Sequence, residues 1–288
     1  MTTRCAVLGY PVGHSRSPAM HNAAFAALGL DWRYEPLEVE PERFDDVVRG
    51  LEEQGFVGAN VTVPHKLRAL ALADRPTDTA RAVGAVNTLS FSSGSIAADN
   101  TDVEGFLRAL RDQRPTAPAG LRALVLGAGG AARAVVYGLL QEGAARIAVW
   151  NRHGERAEAL SEEFQKLAPQ TTLEAVAEPR LEDVDLLVNA TSVGMARGKE
   201  SDAQTGDFKL LRISADRFAD VQIVVDLVYR DGGTALLREA RSRGLTCVDG
   251  IDILVHQGAA SFELWTGKPA PLEVMRRGAR TPQNGREG

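Results

Sequence analysis

The chain has 288 residues, of which 44% are hydrophobic and 25% charged, and a formal net charge of −5. That length accommodates two domains with ordinary cores, the acidic balance leaves no basic footprint for nucleic acid, and no apolar run is long enough for a membrane span. The N-terminal residues enter a strand-like run directly, without a signal-peptide pattern, and Cys5 and Cys247 lack metal-ligand spacing, so they read as buried thiols of a reducing cytoplasm.

In chain order, the first half alternates strand and helix signals. Residues 5–8 predict a strand, and Ser17-Pro18 predicts a helix with a Ser N-cap and Pro at its first position, running to Gly29. Residues 32–39 predict a strand, 44–54 a helix stopped by Gly55, 56–63 a strand closed by Pro64, and 65–73 a helix. Residues 86–91 and 95–98 predict a hairpin around Ser93-Gly94. A helix over 102–112 follows, and the turn-rich segment 114–120 is an expected domain boundary.

The second half continues the alternation. Strands are expected at 124–126, 146–150, 171–175, 184–189, 221–225 and 245–248, and helices at 131–140, 155–167, 234–243 and 251–266. The polar stretch 198–207 predicts a mobile loop, a last helix begins near Pro271, and the tail 278–288 predicts disorder. There is no internal repeat. The pattern is that of two α/β units with mostly parallel sheets.

Between the strand at 124–126 and the helix at 131–140, Gly127, Gly129 and Ala132 fall at the spacing G-x-G-x-x-A. The first glycine allows the turn, the second lets backbone approach a pyrophosphate, and the small third residue lets helix pack on strand. Gly127, Ala128, Gly129, Gly130 and Ala131 then form a cradle at a helix N-terminus, with a second strand at the βαβ distance. The alternative is a turn of the same shape that holds no ligand.

The first half places polar residues where a pure core would not. Ser15 and Ser17 offer two hydroxyls at the C-terminal end of the first strand, although Ser17 alone is also explained as the N-cap. Asn60 and Thr62 are two apart and share one strand face, while Val61 and Val63 project into the other layer. Lys66 sits in the first turn of a helix, where the dipole favours acids, and that mismatch suggests a role beyond solvation. His65 beside it reads as a solvated or packing residue. Asn87 ends the run Gly84-Ala-Val-Asn87, and Asp102 is either an N-terminal helix acid or, with Lys66, a proton-transfer pair. On the helix over 251–265, Leu254, Gly258, Phe262 and Trp265 share a stripe, and Gln257 beside it needs a partner from a ligand or from backbone.

These pieces, in this order, resemble the shikimate/quinate dehydrogenase family: His14-Ser-Arg-Ser-Pro18 with His21-Asn22, Asn60-Val-Thr-Val-Pro-x-Lys66, Gly84-Ala-Val-Asn87-Thr, Asp99-Asn-Thr-Asp102, the glycine turn with Arg133, Asn151-Arg152, Asn189-Ala-Thr-Ser-x-Gly-Met195, and Gln257-Gly-Ala with Trp265-Thr-Gly267. The resemblance implies a substrate domain from residues 1–103 and 250–288 and a Rossmann domain from 104–249, with the C-terminal helices returning to the first domain. It implies that Lys66 and Asp102 are the catalytic pair and that Ser15, Ser17, Asn60, Thr62, Asn87, Tyr229 and Gln257 join them in binding shikimate. Thr191, Ser192, Met195, Leu227 and Gly250 are implied at the dinucleotide with the glycine turn and with Asn151, Arg152 and His153. The implied activity is reversible NADP-dependent reduction of 3-dehydroshikimate to shikimate, in the cytoplasm, by a monomer or homodimer with a small-molecule substrate and no bound metal.

Three departures from the family pattern stand out: Tyr229-Arg-Asp-Gly-Gly-Thr234 lacks a proline, Ile253 replaces a common Met, and His153 replaces a common Thr. The competing functions are an NAD-dependent quinate/shikimate dehydrogenase, an aminoshikimate-type paralogue, and a non-enzymatic metabolite sensor, the last disfavoured by an intact Lys66 and Asp102. For the cofactor, the second Rossmann strand runs into Asn151-Arg152-His153 with no acid before Glu155 to repel a 2′-phosphate, and Arg133 lies on the same side to assist. NADP is therefore expected over NAD.

Overall fold

The computed structural model describes residues 2–195, 200–214 and 217–281. The chain forms two compact units, one from Met1–Gly105 with Leu254–Gly288 and the other from Phe106–Ile253.

In the first unit the elements run β1 (Thr3–Gly9), α1 (Ser17–Ala27), β2 (Trp32–Glu38), α2 (Phe44–Gly50), β3 (Phe56–Val61), α3 (Lys66–Leu72), β4 (Arg75–Pro76), α4 (Asp78–Val83), β5 (Thr88–Ser92), β6 (Ser95–Asp99) and α5 (Thr101–Gln113). They build a six-stranded mixed sheet in the order β2-β1-β3-β5-β6-β4. β1 is an interior strand between β2 and β3 and its last five residues are buried, as an apolar run covered on both faces must be. β5 and β6 form the expected hairpin; Ser93 at φ 54° and Gly94 at φ 75° supply the left-handed pair such a turn requires.

Several expectations are corrected here. The N-cap is Arg16, Ser17 is the first helical residue, and the Ser15 hydroxyl accepts the Ser17 N–H at 3.3 Å. The strand over 56–63 stops at Val61, because the backbone turns where His65 N–H donates to Thr62 O. Val63 is consequently 67% exposed rather than packed with Val61. α2 ends at Gly50, four residues before the expected stop. Helix α4 was not expected, although its signals are present: the Thr77 hydroxyl caps Ala80 N–H, and Gly84 closes the helix at φ 69°.

The second unit continues with β7 (Arg122–Leu126), α6 (Gly130–Gln141), β8 (Arg146–Trp150), α7 (Gly154–Gln165), β9 (Thr172–Ala175), β10 (Leu186–Asn189), α8 (Glu200–Leu211), β11 (Ile223–Asp226), α9 (Ala235–Ser242), β12 (Thr246–Asp249) and α10 (Gly250–Thr266). Its sheet is wholly parallel in the order β12-β11-β10-β7-β8-β9. The strand order reverses between β7 and β10, the switch point at which open α/β sheets bind ligands.

The expected mobile loop over 198–207 is helical from Glu200, with Phe208 and Leu211 of the same helix buried in the core; residues 198 and 199 lie outside the described residues. The segment 114–120 is a turn inside the second unit, held by Gly120 N–H on Gly143 O. Helix α11 (Leu272–Arg280) occupies the start of the expected disordered tail, and residues 282–288 of that tail lie outside the described residues. No helix among the described residues is long and apolar enough to cross a membrane.

Candidate active site

In the first unit, four residues singled out from the sequence meet in one hydrogen-bonded cluster. Lys66 opens α3 and its Nζ lies 2.6 Å from Asp102 Oδ2, with both side chains less than one-fifth exposed. The ammonium at a helix start is unfavourable with the helix dipole, and the carboxylate answers it. Asp102 lies in the first turn of α5, where its N–H is taken by Asn100 Oδ1. Its other oxygen, Oδ1, accepts from Asn87 Nδ2 at 2.9 Å. Asp102 is therefore both a helix-start acid and the partner of Lys66.

The orientation of the Asn87 amide follows from its surroundings. Thr101 N–H donates to Asn87 Oδ1 at 2.7 Å, and a backbone N–H can only donate. Nδ2 must then face Asp102 Oδ1, Thr101 Oγ1 and Gln257 Oε1, three acceptors for two hydrogens. One acceptor is in surplus, which leaves room for a hydroxyl to enter. Gln257 also donates from Nε2 to Leu254 O, so one of its two amide hydrogens remains for a ligand.

Asn60 is held on both ends of its amide. It is 5% exposed, and its Nδ2 lies within 3.1 Å of Asn87 O, Thr88 Oγ1 and Ser261 Oγ, while its Oδ1 accepts from the Tyr34 hydroxyl. Like Asn87, which is 2% exposed, it is built into the wall of the cluster, whereas Thr62 is half-buried. Ser15, Ser17 and Thr62 lie at the C-terminal ends of the neighbouring strands β1 and β3, where Thr62 N–H still donates to Leu8 O. His65 is a packing residue: its Nε2 bonds Val39 O at 2.7 Å, its ring stacks on Phe44, and burial lowers its pKa.

The dinucleotide candidates lie in the second unit at the C-terminal edge of its sheet. Gly127 has φ 117°, and a Cβ there would stand 2.8 Å from Ala190 O, so only glycine lets the ends of β7 and β10 approach. Gly129 is the extended N-cap of α6, without a side-chain cap and with nothing within 4 Å of where a Cβ would point. The N-terminus of a 12-residue helix is thus without a side-chain cap beside an open Gly129, an arrangement that suits a phosphate. Ala128, Gly130 and Ala131 continue that backbone half-buried, and Ala132 is fully buried.

After β8, Asn151 Nδ2 donates to His153 O, and Arg152 and His153 are exposed. No acid precedes Glu155, whose carboxylate is 3.9 Å from His153 Nδ1. These residues fit a 2′-phosphate by charge. Arg133 has a partner inside the unit: its guanidinium is held by Glu163 at 2.5 Å and lies over the Phe164 ring, so it braces α6 against α7.

At the other end of the edge, Asn189 Oδ1 accepts from both the N–H and the hydroxyl of Thr191, and its Nδ2 donates to Asp226 Oδ1. Ser192 and Met195 are exposed beyond it. Gly250 packs so closely on Leu227 that a Cβ would meet Leu227 O at 2.6 Å, which brings two further candidates together. Asp226 is fully buried, and burial pushes its carboxyl up to about 7 against the pull of the Thr234 hydroxyl, Val228 N–H and Asn189. The loop of Tyr229 keeps a defined shape without the proline, since Gly232 and Gly233 both take φ near 80° and the Thr234 hydroxyl ties back to Asp226 at 2.6 Å. Ile253 is buried in the second unit, 7% exposed. Sequence reasoning gave no role to Tyr34, Thr88, Thr101, Ser261 and Asp226; all but Tyr34 lie next to residues already singled out.

Comparisons with known proteins agree across the chain. Family models described as the shikimate dehydrogenase substrate binding domain, shikimate / quinate 5-dehydrogenase and the shikimate 5'-dehydrogenase C-terminal domain match residues 7–89, 112–209 and 250–279. A shikimate dehydrogenase (NADP(+)) of Methanopyrus kandleri is 47% identical over 278 residues, covering 94% of this chain and 92% of that protein. The crystal structure of shikimate 5-dehydrogenase from Thermus thermophilus in complex with NADP(H) and shikimate is 40% identical with a TM-score of 0.83, covering 96% and 98% of the two chains. The 5-ketofructose reductase of a Gluconobacter strain is 30% identical with a TM-score of 0.79, covering 97% and 98%, so the same fold serves another ketone.

Proposed function

The chain belongs to the shikimate dehydrogenase family, and from that premise we propose how its residues perform NADP-dependent interconversion of 3-dehydroshikimate and shikimate. The observation that carries the reading is the Lys66–Asp102 pair at 2.6 Å with Asn87 on the second carboxylate oxygen. A positioned acid with a fixed partner is what carbonyl reduction needs.

NADPH, when bound, supplies the hydride, and NADP takes it up in the reverse direction. In reduction the Lys66 ammonium polarises the ketone oxygen and delivers its proton as the alcohol forms. In oxidation the neutral amine takes the proton from the hydroxyl. Asp102 holds the amine in place and accepts from a substrate hydroxyl. Asn87 and Gln257 offer the amide groups already paired with each other, and Ser15, Ser17 and Thr62 offer hydroxyls to the remaining oxygens. Tyr229 is assigned to the substrate by resemblance.

Residues Gly127 to Ala131 would hold the pyrophosphate, Asn151, Arg152 and His153 the adenosine ribose with its 2′-phosphate, and Thr191, Ser192, Met195, Leu227 and Gly250 the nicotinamide half. We assign the enzyme to the cytoplasm as a monomer or homodimer, in keeping with two free cysteines.

The test follows reduced-nicotinamide absorbance with shikimate or quinate and with NADP or NAD. Shikimate with NADP is expected to give the highest kcat/KM, because quinate carries an extra ring hydroxyl without a matching group. Turnover of neither substrate overturns the reading, and equal kcat/KM for both favours the quinate/shikimate alternative.

A further inference from the structure

His21-Asn22, Tyr34 and Asn60 form a continuous chain of contacts that ends on the Lys66–Asp102 pair. β2 is an edge strand, so the outward N–H and C=O of Tyr34 look away from the sheet. The side chain of Asn22, on α1, meets both: its Oδ1 accepts Tyr34 N–H and its Nδ2 donates to Tyr34 O, each at 2.8 Å. His21, one residue earlier and fully buried, stacks on the Tyr34 ring at 4.3 Å and 2°. The backbone and the ring of Tyr34 are thus both fixed, and the ring delivers its hydroxyl to Asn60 Oδ1 at 2.8 Å.

The Asn87 carbonyl can only accept, so Asn60 turns Nδ2 toward it and toward the hydroxyls of Thr88 and Ser261, and the Tyr34 hydroxyl holds Oδ1 in that orientation from the other side. Ser261, fully buried on α10, is anchored to Gln257 O, and Thr88 Oγ1 donates to Asn87 Oδ1. Both the backbone and the amide of Asn87 are therefore restrained from the Asn60 side. Asn87 is the residue that donates to Asp102 Oδ1, opposite the oxygen that holds Lys66.

We propose that Tyr34, clamped by His21 and Asn22, and Asn60 are positioning residues that hold Asn87 against Asp102 and thereby aim Lys66. Asn60 is then a support of the site and not a ligand of the substrate. The inference rests on the reading of Lys66 and Asp102 as the acid–base pair. It gives the His21-Asn22 dipeptide a task that its distance from the reacting groups would not suggest.

Tyr34→Phe removes one oxygen and leaves Asn60 Oδ1 buried without a donor. We expect kcat for shikimate to fall about three- to tenfold, the scale of one lost buried hydrogen bond, with KM for NADP unchanged. Ser261→Ala, which removes a different contact of Asn60, should lower kcat in the same way, again with KM for NADP unchanged. Asn60→Ala should lower kcat more than it raises KM for shikimate.

A lower Tm in all three variants with kcat unchanged would make the chain merely structural and overturn the proposal. So would an Asn60→Ala variant altered only in KM for shikimate, because that is the signature of a direct ligand. The side-chain amide resonances of Asn87, followed in ¹⁵N-labelled protein, separate this inference from the functional one. They should shift in Tyr34→Phe even if the wild type turns over neither shikimate nor quinate, and unchanged resonances would sever the link from Tyr34 to Asn87.

Discussion

At the scale of single residues, the groups around Asp102 divide the work between proton transfer and support. Lys66→Ala removes the amine of the cluster while Asn87, Gln257 and Asp102 keep their mutual bonds. A positioned acid or base contributes about 10²–10⁴-fold, so kcat should fall by that order with shikimate affinity largely retained. Steady-state kinetics checks this, and a loss confined to KM would leave Lys66 as a binding group. Arg152 is the corresponding choice at the cofactor. It is exposed and its sequence neighbours carry no acid, so Arg152→Ala should lower kcat/KM for NADP far more than for NAD. An unchanged ratio of the two would show that this turn does not read the 2′-phosphate.

At the scale of elements, α5 and α10 approach each other through a missing side chain. A Cβ on Gly105 would lie 2.6 Å from Gln257 Cβ and 2.8 Å from Gln257 N, and backbone cannot step aside. Alanine is ordinarily the better helix former by about 1 kcal/mol, yet here overpacking by about 1–3 kcal/mol should win. Gly105→Ala should therefore lower the melting temperature. It should also raise KM for shikimate, since Gln257 is displaced from Asn87; an unchanged or higher melting temperature would show that the helices part freely.

The same elements show what the sequence could reveal. The turn at Gly127 was legible because its requirement is local: a positive φ and the close approach of Ala190 exclude other residues there, while Gly129 was read from its spacing. Lys66 and Asp102 were legible because each sits at a helix start where its neighbours frame it. Asn60 was read from strand alternation, which tells which face a side chain takes but not what waits on that face. Its partners Tyr34 and Ser261 are 26 and 201 positions away, so that pairing is invisible until the chain is folded. Arg133 was placed by side of the helix, and the carboxylate that captured it stands 30 positions on. Helix α8 was hidden because its polar first turns carry no periodic apolar signal.

At the scale of the whole molecule, two buried titratable groups give the two units opposite responses to pH. His21 in the first unit is lowered to about 3 by burial, so the unfolded chain binds the extra proton and stability falls as pH drops from the ordinary imidazole value of 6.5 toward 3. Asp226 in the second unit is raised from 3.8 to about 7, so the folded state binds the extra proton, and stability falls as pH climbs through that window and stays reduced above it. Asp226→Asn cannot ionise. The stability of the wild type minus that of the variant, taken from urea midpoints, should therefore decrease between pH 4 and pH 7; a flat difference would mean that Asp226 titrates alike in both states.

The first unit is closed by residues from both ends of the chain, and that imposes an order on synthesis. Residues 106–253 leave the ribosome as one uninterrupted piece and hold every strand of the parallel sheet. The earlier piece must wait, because Gln257, Ser261 and Trp265 bond back to Asn87, Asn60 and Leu89 across as many as 201 positions. The half made first is thus finished last, and a nascent chain acquires its nucleotide cradle before its acid–base pair is braced. A chain ended at Ile253 should still bind NADP in solution yet expose the apolar face that α10 and α11 cover. Coenzyme binding without turnover is therefore the behaviour expected of that truncated chain, and a truncated chain unable to bind NADP would show that the second unit does not form without α10 and α11.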